Sequence, residues 1–295
     1  MLTSAQRLRQ LLDDPNKIVV CPGVYDGLSA RLALHEGFDA LYMTGAGTSM
    51  SRIGMADLGL ATLNDMKENA EMIANLDPHV PLIADADTGY GSAINVARTV
   101  ALYARAGVAA LHLEDQVVNK RCGYLNGKEL VSREEYLSRI RAAVTVREQL
   151  QSDIVIIART DALQSLGFEE ALSRLKAAIE IGADVAFLEA IQTREQAAQV
   201  CKAFKATNTP VMYGMVQGTK SPRFTVQEAK EIGFKIIVYA AICLIPVCLG
   251  VKKALKKLKE EGELEEASAN ITPRHIFDIC GMQDLISFDR LVTKD

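Results

Sequence analysis

Tryptophan is absent from this 295-residue chain and aromatic residues make up only 5% of it, so a surface that stacks nucleic-acid bases has little to draw on. A dominant charge is missing too. The net charge is −4 and the pI near 5.7, which leaves no electrostatic footprint for nucleic acid or an anionic membrane. No apolar run reaches the ~18 residues of a membrane span. The longest, IIVYAAICLIPVCLGV over 236–251, is interrupted by Pro246 and reads as a buried strand leading into a buried helix. The six cysteines form no C-x-x-C pair, which fits reduced thiols in an intracellular protein; all but Cys122 sit in apolar stretches and read as core. The four histidines show no ligand spacing, and His112, on a strand, should face the core or the helix layer without a chemical role.

The N-terminus, MLTSAQRLRQLLDDPNK, lacks the apolar core of a secretory signal. A cytoplasmic protein is the simplest expectation. The Arg-containing amphipathic pattern leaves a mitochondrial transit segment as an alternative, with Asp13 and Asp14 against it. The C-terminal LVTKD is no peroxisomal address.

What is present is a repeat of one pattern. Eight short apolar runs each end in small or acidic residues, and an amphipathic stretch follows each. The strand candidates are 18–23, 40–45, 81–87, 110–115, 153–161, 185–190, 210–215 and 234–240. Helices are expected over 26–36, 63–76, 93–106, 133–149, 168–182, 194–204, 225–232 and 242–261, with Ser132 before REE as a start signal and Gly182 as a stop. Continuous rather than alternating apolar strands indicate a parallel sheet buried on both faces. Eight such units without a second composition zone predict one domain, a closed (β/α)8 TIM barrel over about 17–260 followed by a helical tail over 261–295 that wraps the barrel or a neighbouring subunit. An open doubly wound sheet is the alternative.

Barrel strands deliver their C-terminal ends to one mouth. Here those ends supply Asp85, Asp87, Glu114, Asp115, Asp161 and Glu189, with Arg159 as the cation. Crowded acids resist ionisation without a compensating cation. An all-oxygen set without clustered histidines favours Mg²⁺ or Mn²⁺ over zinc. Any one of these acids could instead cap a helix or pair with a buried base; for Asp85 and Asp87 together that is harder, because D-A-D spacing sends both side chains to one side of a strand. Thr44-Gly45-Ala46-Gly47 reads as a glycine-rich loop whose N–H groups can approach an anion, or as a tight turn. Arg159 could clamp a carboxylate bidentately or pair with a neighbouring acid. Cys122 lies in a polar loop between Arg121 and Lys128, which should lower its pKa.

These residues carry a resemblance. K-R-C-G at 120–123, E-D-Q at 114–116 and A-D-A-D-T-G-Y-G at 84–91 resemble the lyase branch of the isocitrate lyase/phosphoenolpyruvate mutase superfamily over about residues 5–260. PGVYDGLSAR at 22–31 and TGAGTSMSRIGMADLGLATL at 44–63 are most similar to its 2,3-dimethylmalate lyase, petal-death lyase and oxaloacetate hydrolase group. The resemblance implies Mg²⁺ held by Asp85 and Asp87, directly or through water, with Asp57 and Glu114 around it. It implies binding of an α-oxo carboxylate by backbone groups of Gly45, Ala46 and Gly47 and by Arg159, with Tyr25 lining the pocket and Glu189 near the oxo-acid end. Cys122 would be the general acid on a gating loop; the mutase branch lacks this cysteine, which argues against carbon–phosphorus chemistry.

The implied activity is cleavage of a substituted malate, of 2,3-dimethylmalate or methylisocitrate type, to an oxo acid such as pyruvate and a carboxylate. Oxaloacetate hydrolysis or decarboxylation is a second reading, and a homologue with its metal site repurposed is a third. Departures from the pattern support the third: Tyr124 stands after K-R-C-G where His is usual, and Gly214-Met215-Val216-Gln217 replaces a usual N-M-V-E, depleting the distal carboxylate pocket around Gly123, Tyr124 and Gly214. The resemblance also implies a homotetramer whose eighth helix is swapped between barrels, with the apolar 242–251 segment buried against a partner.

Overall fold

The computed structural model describes residues 2–264 and 271–293. Helix α1 (Ser4–Asp13) is followed by β1 (Val19–Val24), α2 (Gly27–His35), β2 (Leu41–Met43) and the one-turn α3 (Gly45–Thr48), which runs into a π-turn over Ser49–Ile53. Next come α4 (Leu63–Ala74), β3 (Leu82–Asp85), α5 (Ala93–Arg105), β4 (Ala110–Leu113), α6 (Arg133–Gln149) and β5 (Val155–Thr160). The second half adds α7 (Leu163–Leu166), α8 (Phe168–Ile181), β6 (Val185–Leu188), α9 (Arg194–Phe204), β7 (Val211–Gly214), α10 (Val226–Ile232) and β8 (Ile236–Tyr239). Three helices close the chain: α11 (Leu244–Glu261), α12 (Pro273–Ile279) and α13 (Met282–Val292).

All eight expected strands form, and they pair in parallel, in sequence order, into a closed barrel sealed by β1 against β8. The expected stops and starts hold: Ser132 accepts the Glu135 N–H at the start of α6, and Gly182 ends α8 in a left-handed conformation. The two-residue period of the strands sorts their side chains. Tyr42, Ile83, Ala110, Val155, Ile157, Val185, Phe187, Met212, Ile236 and Val238 fill the barrel, while Leu41, Leu82, Leu111, Ile156, Ala186 and Val211 face the helix ring. Extending the inward parity past the strand ends brings Thr44, Asp85, Asp87, Glu114, Arg159, Glu189 and Gly214 to the mouth. Asp115 has the other parity. It faces outward to accept from Thr160 and the Asp161 N–H and to pair with Arg174 at 3.1 Å, so it belongs to the wall of the barrel and not to the acidic ring.

Of the two readings of Thr44–Gly47 the tight turn holds: Thr44 caps α3 by accepting the Gly47 N–H, and an added Cβ at Gly45 would lie 2.3 Å from Asp85, so glycine is what allows this turn to settle on the acid. One other expectation needs correction. The helix of the 236–251 run is not buried. The strand is, but α11 shows its apolar residues to solvent, Leu249 being 66% exposed and Leu255 59%. The N-terminal amphipathic segment, for its part, is part of the fold. Leu8 of α1 is fully buried against the lowest barrel layer, and Arg9 ties α1 to the Asp153 carbonyl and to Asp184.

Leu8 therefore closes the floor of the barrel. Leu8→Ala is expected to destabilise the fold by about 2–5 kcal/mol, the usual cost of such a cavity. Chemical denaturation measures it, and a loss below about 1 kcal/mol would mean that α1 is only loosely docked.

Candidate active site

The mouth is dominated by buried acid. Asp57, Asp85, Asp87, Glu114, Asp161 and Glu189 stand there against Lys120, Lys128 and Arg159. Lys120, from the loop after β4, reaches into the ring with its Nζ 2.5 Å from Asp57 and 2.6 Å from Asp87. Arg159 bonds Asp161 through Nε at 2.9 Å and Nη2 at 3.2 Å, and its Nη2 lies 3.1 Å from Glu114. Both readings of Arg159 thus meet in one residue: it is paired with barrel acids and still lines the cavity. Lys128 bridges Asp161, at 2.9 Å, to the Gly123 carbonyl at 2.5 Å.

This balance decides the protonation of the acids. Burial raises Asp87 to about 6, Lys120 opposing it while Asp85 and Asp57 add to it. Burial likewise raises Asp85, Glu114 and Glu189, outweighing the nearby cations. Asp161 is the exception: burial pushes it up, but Arg159 and Lys128 prevail and hold it at about 2. A divalent cation would relieve such a set. Oε1 of Glu114 is buried without a hydrogen bond or an ion pair, while Glu114 Oε2 and Asp87 Oδ1 are met only by the charges of Arg159 and Lys120, which leaves acceptor capacity in the ring. Among the described residues no three acidic, His or Cys side chains converge as a closed ligand cage. The all-carboxylate chemistry of the mouth, Asp57, Asp85, Asp87, Glu114 and Glu189, nevertheless fits a hard oxygen-seeking ion such as Mg²⁺.

Local backbone geometry aims these groups. Asp87 sits at φ 46°, a left-handed conformation that a short acidic side chain tolerates, and its N–H donates to Asp85 at 2.9 Å. Tyr103 of α5 donates to the Asp85 carbonyl at 3.0 Å. Ala190, directly after Glu189, is also left-handed at φ 56°. Inside the barrel His112 accepts from or donates to Tyr42 at 2.9 Å and places Nδ1 3.5 Å from Asp85. Burial holds its ring neutral, with Arg159 adding to that effect.

Above this floor lies an inner cavity of about 230 Å³. Its lining combines polar or reactive groups, Thr44, Asp57, Asp85, Cys122, Arg159 and Glu189, with the apolar Met50, Phe187, Val216, Val238 and Leu244. Ala46, Gly123, Tyr124 and Gly214 complete the sequence-derived residues that reach it. Tyr25 does not line it. Its Cβ packs under Gly47, and its main chain accepts from Asn69. Asp87 and Glu114 lie beneath the lining, and Gln217 is exposed outside it. Gly123 must be glycine, since a Cβ would meet Arg159 and Glu189 at 2.6 Å. Sequence reasoning missed Lys120, Lys128, Tyr42 and Phe187. Strand parity, applied to the strand ends, would have placed Tyr42 and Phe187, each two residues below a mouth position on its strand.

Cys122 rests on the ring through its N–H, which donates to the Asp57 carbonyl at 3.1 Å. Its thiol is not activated as the basic neighbours suggested: burial, reinforced by Asp57, raises it to about 11, and Lys120 and Arg159 offset only part of that. A thiol so placed stays protonated at neutral pH and so has a proton that it could donate. The remaining cysteines are also less uniform than expected, with Cys21 and Cys201 buried but Cys248 and Cys280 exposed. Alkylation of Cys122, followed by peptide mass spectrometry, should accelerate with pH until about 11. A half-maximal rate near the ~8.5 of a free thiol would contradict this environment.

Residues 8–259 match the family model described as phosphoenolpyruvate phosphomutase. The chain is 41% identical to 2,3-dimethylmalate lyase of Eubacterium barkeri over 81% of its own length and 80% of the relative's. It is 38% identical to 2-methylisocitrate lyase of Aeropyrum pernix over 97% of its length and 90% of that protein. A solved structure of oxaloacetate acetylhydrolase with the inhibitor 3,3-difluorooxalacetate superposes at a TM-score of 0.96 with 51% identity, covering 99% of this chain and 98% of that one. A match over most of the barrel, together with this acid-ringed mouth, identifies the chain as a member of the phosphoenolpyruvate phosphomutase family, in the isocitrate lyase/phosphoenolpyruvate mutase superfamily that its motifs resemble.

Proposed function

We propose that the protein is a Mg²⁺-dependent carbon–carbon lyase that cleaves a substituted malate-type 2-hydroxy dicarboxylate into an α-oxo acid, such as pyruvate, and a second carboxylate. The observation that carries this reading is one cavity lined by the Cys122 thiol together with Asp57, Asp85, Glu189 and Arg159, above a floor of further buried carboxylates. Relatives named as dimethylmalate and methylisocitrate lyases support it.

Asp85, Asp87 and Glu114 would hold Mg²⁺, with Mn²⁺ as a substitute, and Asp57 and Lys120 would position them. The ion supplies Lewis acidity that lowers the pKa of the substrate's C2 hydroxyl. The chain's residues do the rest. Arg159 and the N–H groups of the α3 turn, from Gly45 to Gly47, bind the carboxylate beside C2, capped by Thr44. Transfer of the hydroxyl proton to a carboxylate of the ring lets the C2–C3 bond break, making a carbonyl at C2 and leaving the bonding pair on C3; that proton later restores the Cys122 thiol. Cys122 Sγ then delivers its proton to C3, so one proton leaves the substrate and one returns. Glu189, wedged beside Gly123, orients Arg159 from the other face. Gly123 and the 116–131 loop exclude water from the carbanion.

A second reading, hydrolysis of oxaloacetate, is favoured by the 51% identity and near-complete coverage of the oxaloacetate acetylhydrolase structure. Products separate the two. In an NMR assay with Mg²⁺, dimethylmalate cleavage gives pyruvate, whereas oxaloacetate hydrolysis gives oxalate and acetate. For the lyase reading, pyruvate release should vanish with EDTA and fall at least about a hundredfold in Cys122→Ser, the scale of a lost general acid. Full activity in either control would overturn the assigned roles.

The exposed apolar face of α11 also supports a homotetramer in which this helix is exchanged with a neighbouring barrel. Light scattering should report four chains, and replacing Leu249, Val251 and Leu255 with Ser should shift the mass downward. A monomeric wild type would sink the assembly. No described helix is long and apolar enough to cross a membrane.

A further inference from the structure

The far wall of the inner cavity is built unlike the metal side. The Tyr124 hydroxyl, from the loop after β4, donates to the carbonyl of Gly214 at the end of β7 with an O···O distance of 3.0 Å. At Gly214 an added Cβ would lie 3.3 Å from the Phe187 ring and 3.5 Å from that same hydroxyl. A methyl group could just be tolerated, and anything longer would collide with the tyrosine or the phenylalanine. Tyr124 and Gly214 therefore occupy one volume between them.

Tyr124 is also the one residue that lines both the 230 Å³ inner cavity and the outer cleft of about 740 Å³, whose other walls include Asn126, Lys128, Gln164, Lys220 and Ser221. It stands as the partition. The inner cavity is also lined by Phe187, Val216, Val238 and Leu244, whose side chains cannot donate a hydrogen bond. The tyrosine proton is committed to the Gly214 carbonyl and the same hydroxyl bonds the Ser221 side chain, so Tyr124 has no proton to spare for an anion.

Charge leads to the same conclusion. Each cation of the site is already engaged: Lys120 by Asp57 and Asp87, Arg159 by Asp161 and Glu114, and Lys128 by Asp161. One divalent ion and these three cations face six carboxylates before any substrate enters. A dicarboxylate can use the metal and Arg159. A third carboxylate would be stripped of water against an apolar wall, with no partner left for it.

We propose that Tyr124 and Gly214 together form the specificity wall of this enzyme, restricting it to malate-type dicarboxylates whose C3 substituents are small and uncharged and excluding tricarboxylates. The volume agrees, because the inner cavity falls below the about 300–1,000 Å³ that larger ligands occupy. The inference rests on the lyase reading for the substrate's frame, and it holds equally for a site that acts on oxaloacetate. Removing the ring should merge the two cavities and bring Lys220 within reach of a longer anionic arm.

The test compares 2,3-dimethylmalate with 2-methylisocitrate, which differ in carrying an uncharged or a carboxylated C3 substituent. Turnover is read as kcat/KM, and binding by calorimetry with Mg²⁺ in a Cys122→Ser background that stops the reaction. The wild-type preference for dimethylmalate should be about a hundredfold or more, as expected where one ligand leaves a buried polar group unpaired. Tyr124→Ala should cut that preference at least about tenfold, mostly through a lower KM for methylisocitrate, and Lys220→Ala in the same background should restore it. Tyr124→Phe, which keeps the ring and removes only the latch, controls for misfolding and should fall between. Equal handling of the two compounds by wild type, or an unchanged ratio in Tyr124→Ala, would overturn the proposal. If neither compound is turned over but dimethylmalate still binds selectively through Tyr124, the wall stands and the lyase reading falls.

Discussion

A surplus of buried negative charge at the barrel mouth is the constraint to which the rest of this protein answers. Three cations cannot neutralise six carboxylates removed from water, and burial raises the proton affinity of most of them. Such an arrangement costs stability, because the unfolded chain would solvate each acid. The barrel can carry that cost because its interior below the mouth is continuous apolar packing from every strand. What the arrangement provides is a concentration of negative charge that a bound divalent cation would relieve, with Lys120 holding part of that position in its absence.

The loop after β4 is as consequential as the strands. It sends Lys120 into the acid ring, Cys122 into the inner cavity and the Tyr124 hydroxyl onto the Gly214 carbonyl. Three contacts with the barrel therefore depend on a few neighbouring residues holding one conformation. Its anchors are correspondingly redundant: Gln116 bonds the main chain of Arg121 in both directions, and the Cys122 N–H rests on the Asp57 carbonyl. Family membership accounts for the metal half of this loop, while Tyr124 is where this chain departs from the pattern.

Much of this was legible in the sequence, for identifiable reasons. Parallel strands buried on both faces announce themselves as uninterrupted apolar runs, and their order in the barrel follows their order in the chain. Inward parity then nominates Asp85, Arg159 and Glu189 without any structure. Asp115 was misassigned because adjacent acids at a strand end look alike until parity is applied strictly. Lys120 could be seen in the K-R-C-G run, but its insertion between Asp57 and Asp87 depends on a loop path that no periodicity describes. The Cys122 thiol was misjudged because neighbours in sequence are not neighbours in space. Arg121 turns to Gln116 and Gly127, while buried Asp57 and desolvation set the proton affinity. The exposure of α11 was illegible for a different reason, since an apolar face has the same composition whether its cover comes from its own chain or another.

The bridge from Lys128 to Asp161 ties the loop to the barrel floor. Lys128 grips the Gly123 carbonyl on the loop and, with its other contacts, the same acid that steadies Arg159 on the barrel floor. Lifting the loop must therefore part a buried ion pair and leave Asp161 leaning on Arg159 alone. Any displacement of the loop is thereby coupled to the acid that holds Arg159, so the two ends of this ionic clasp cannot shift independently.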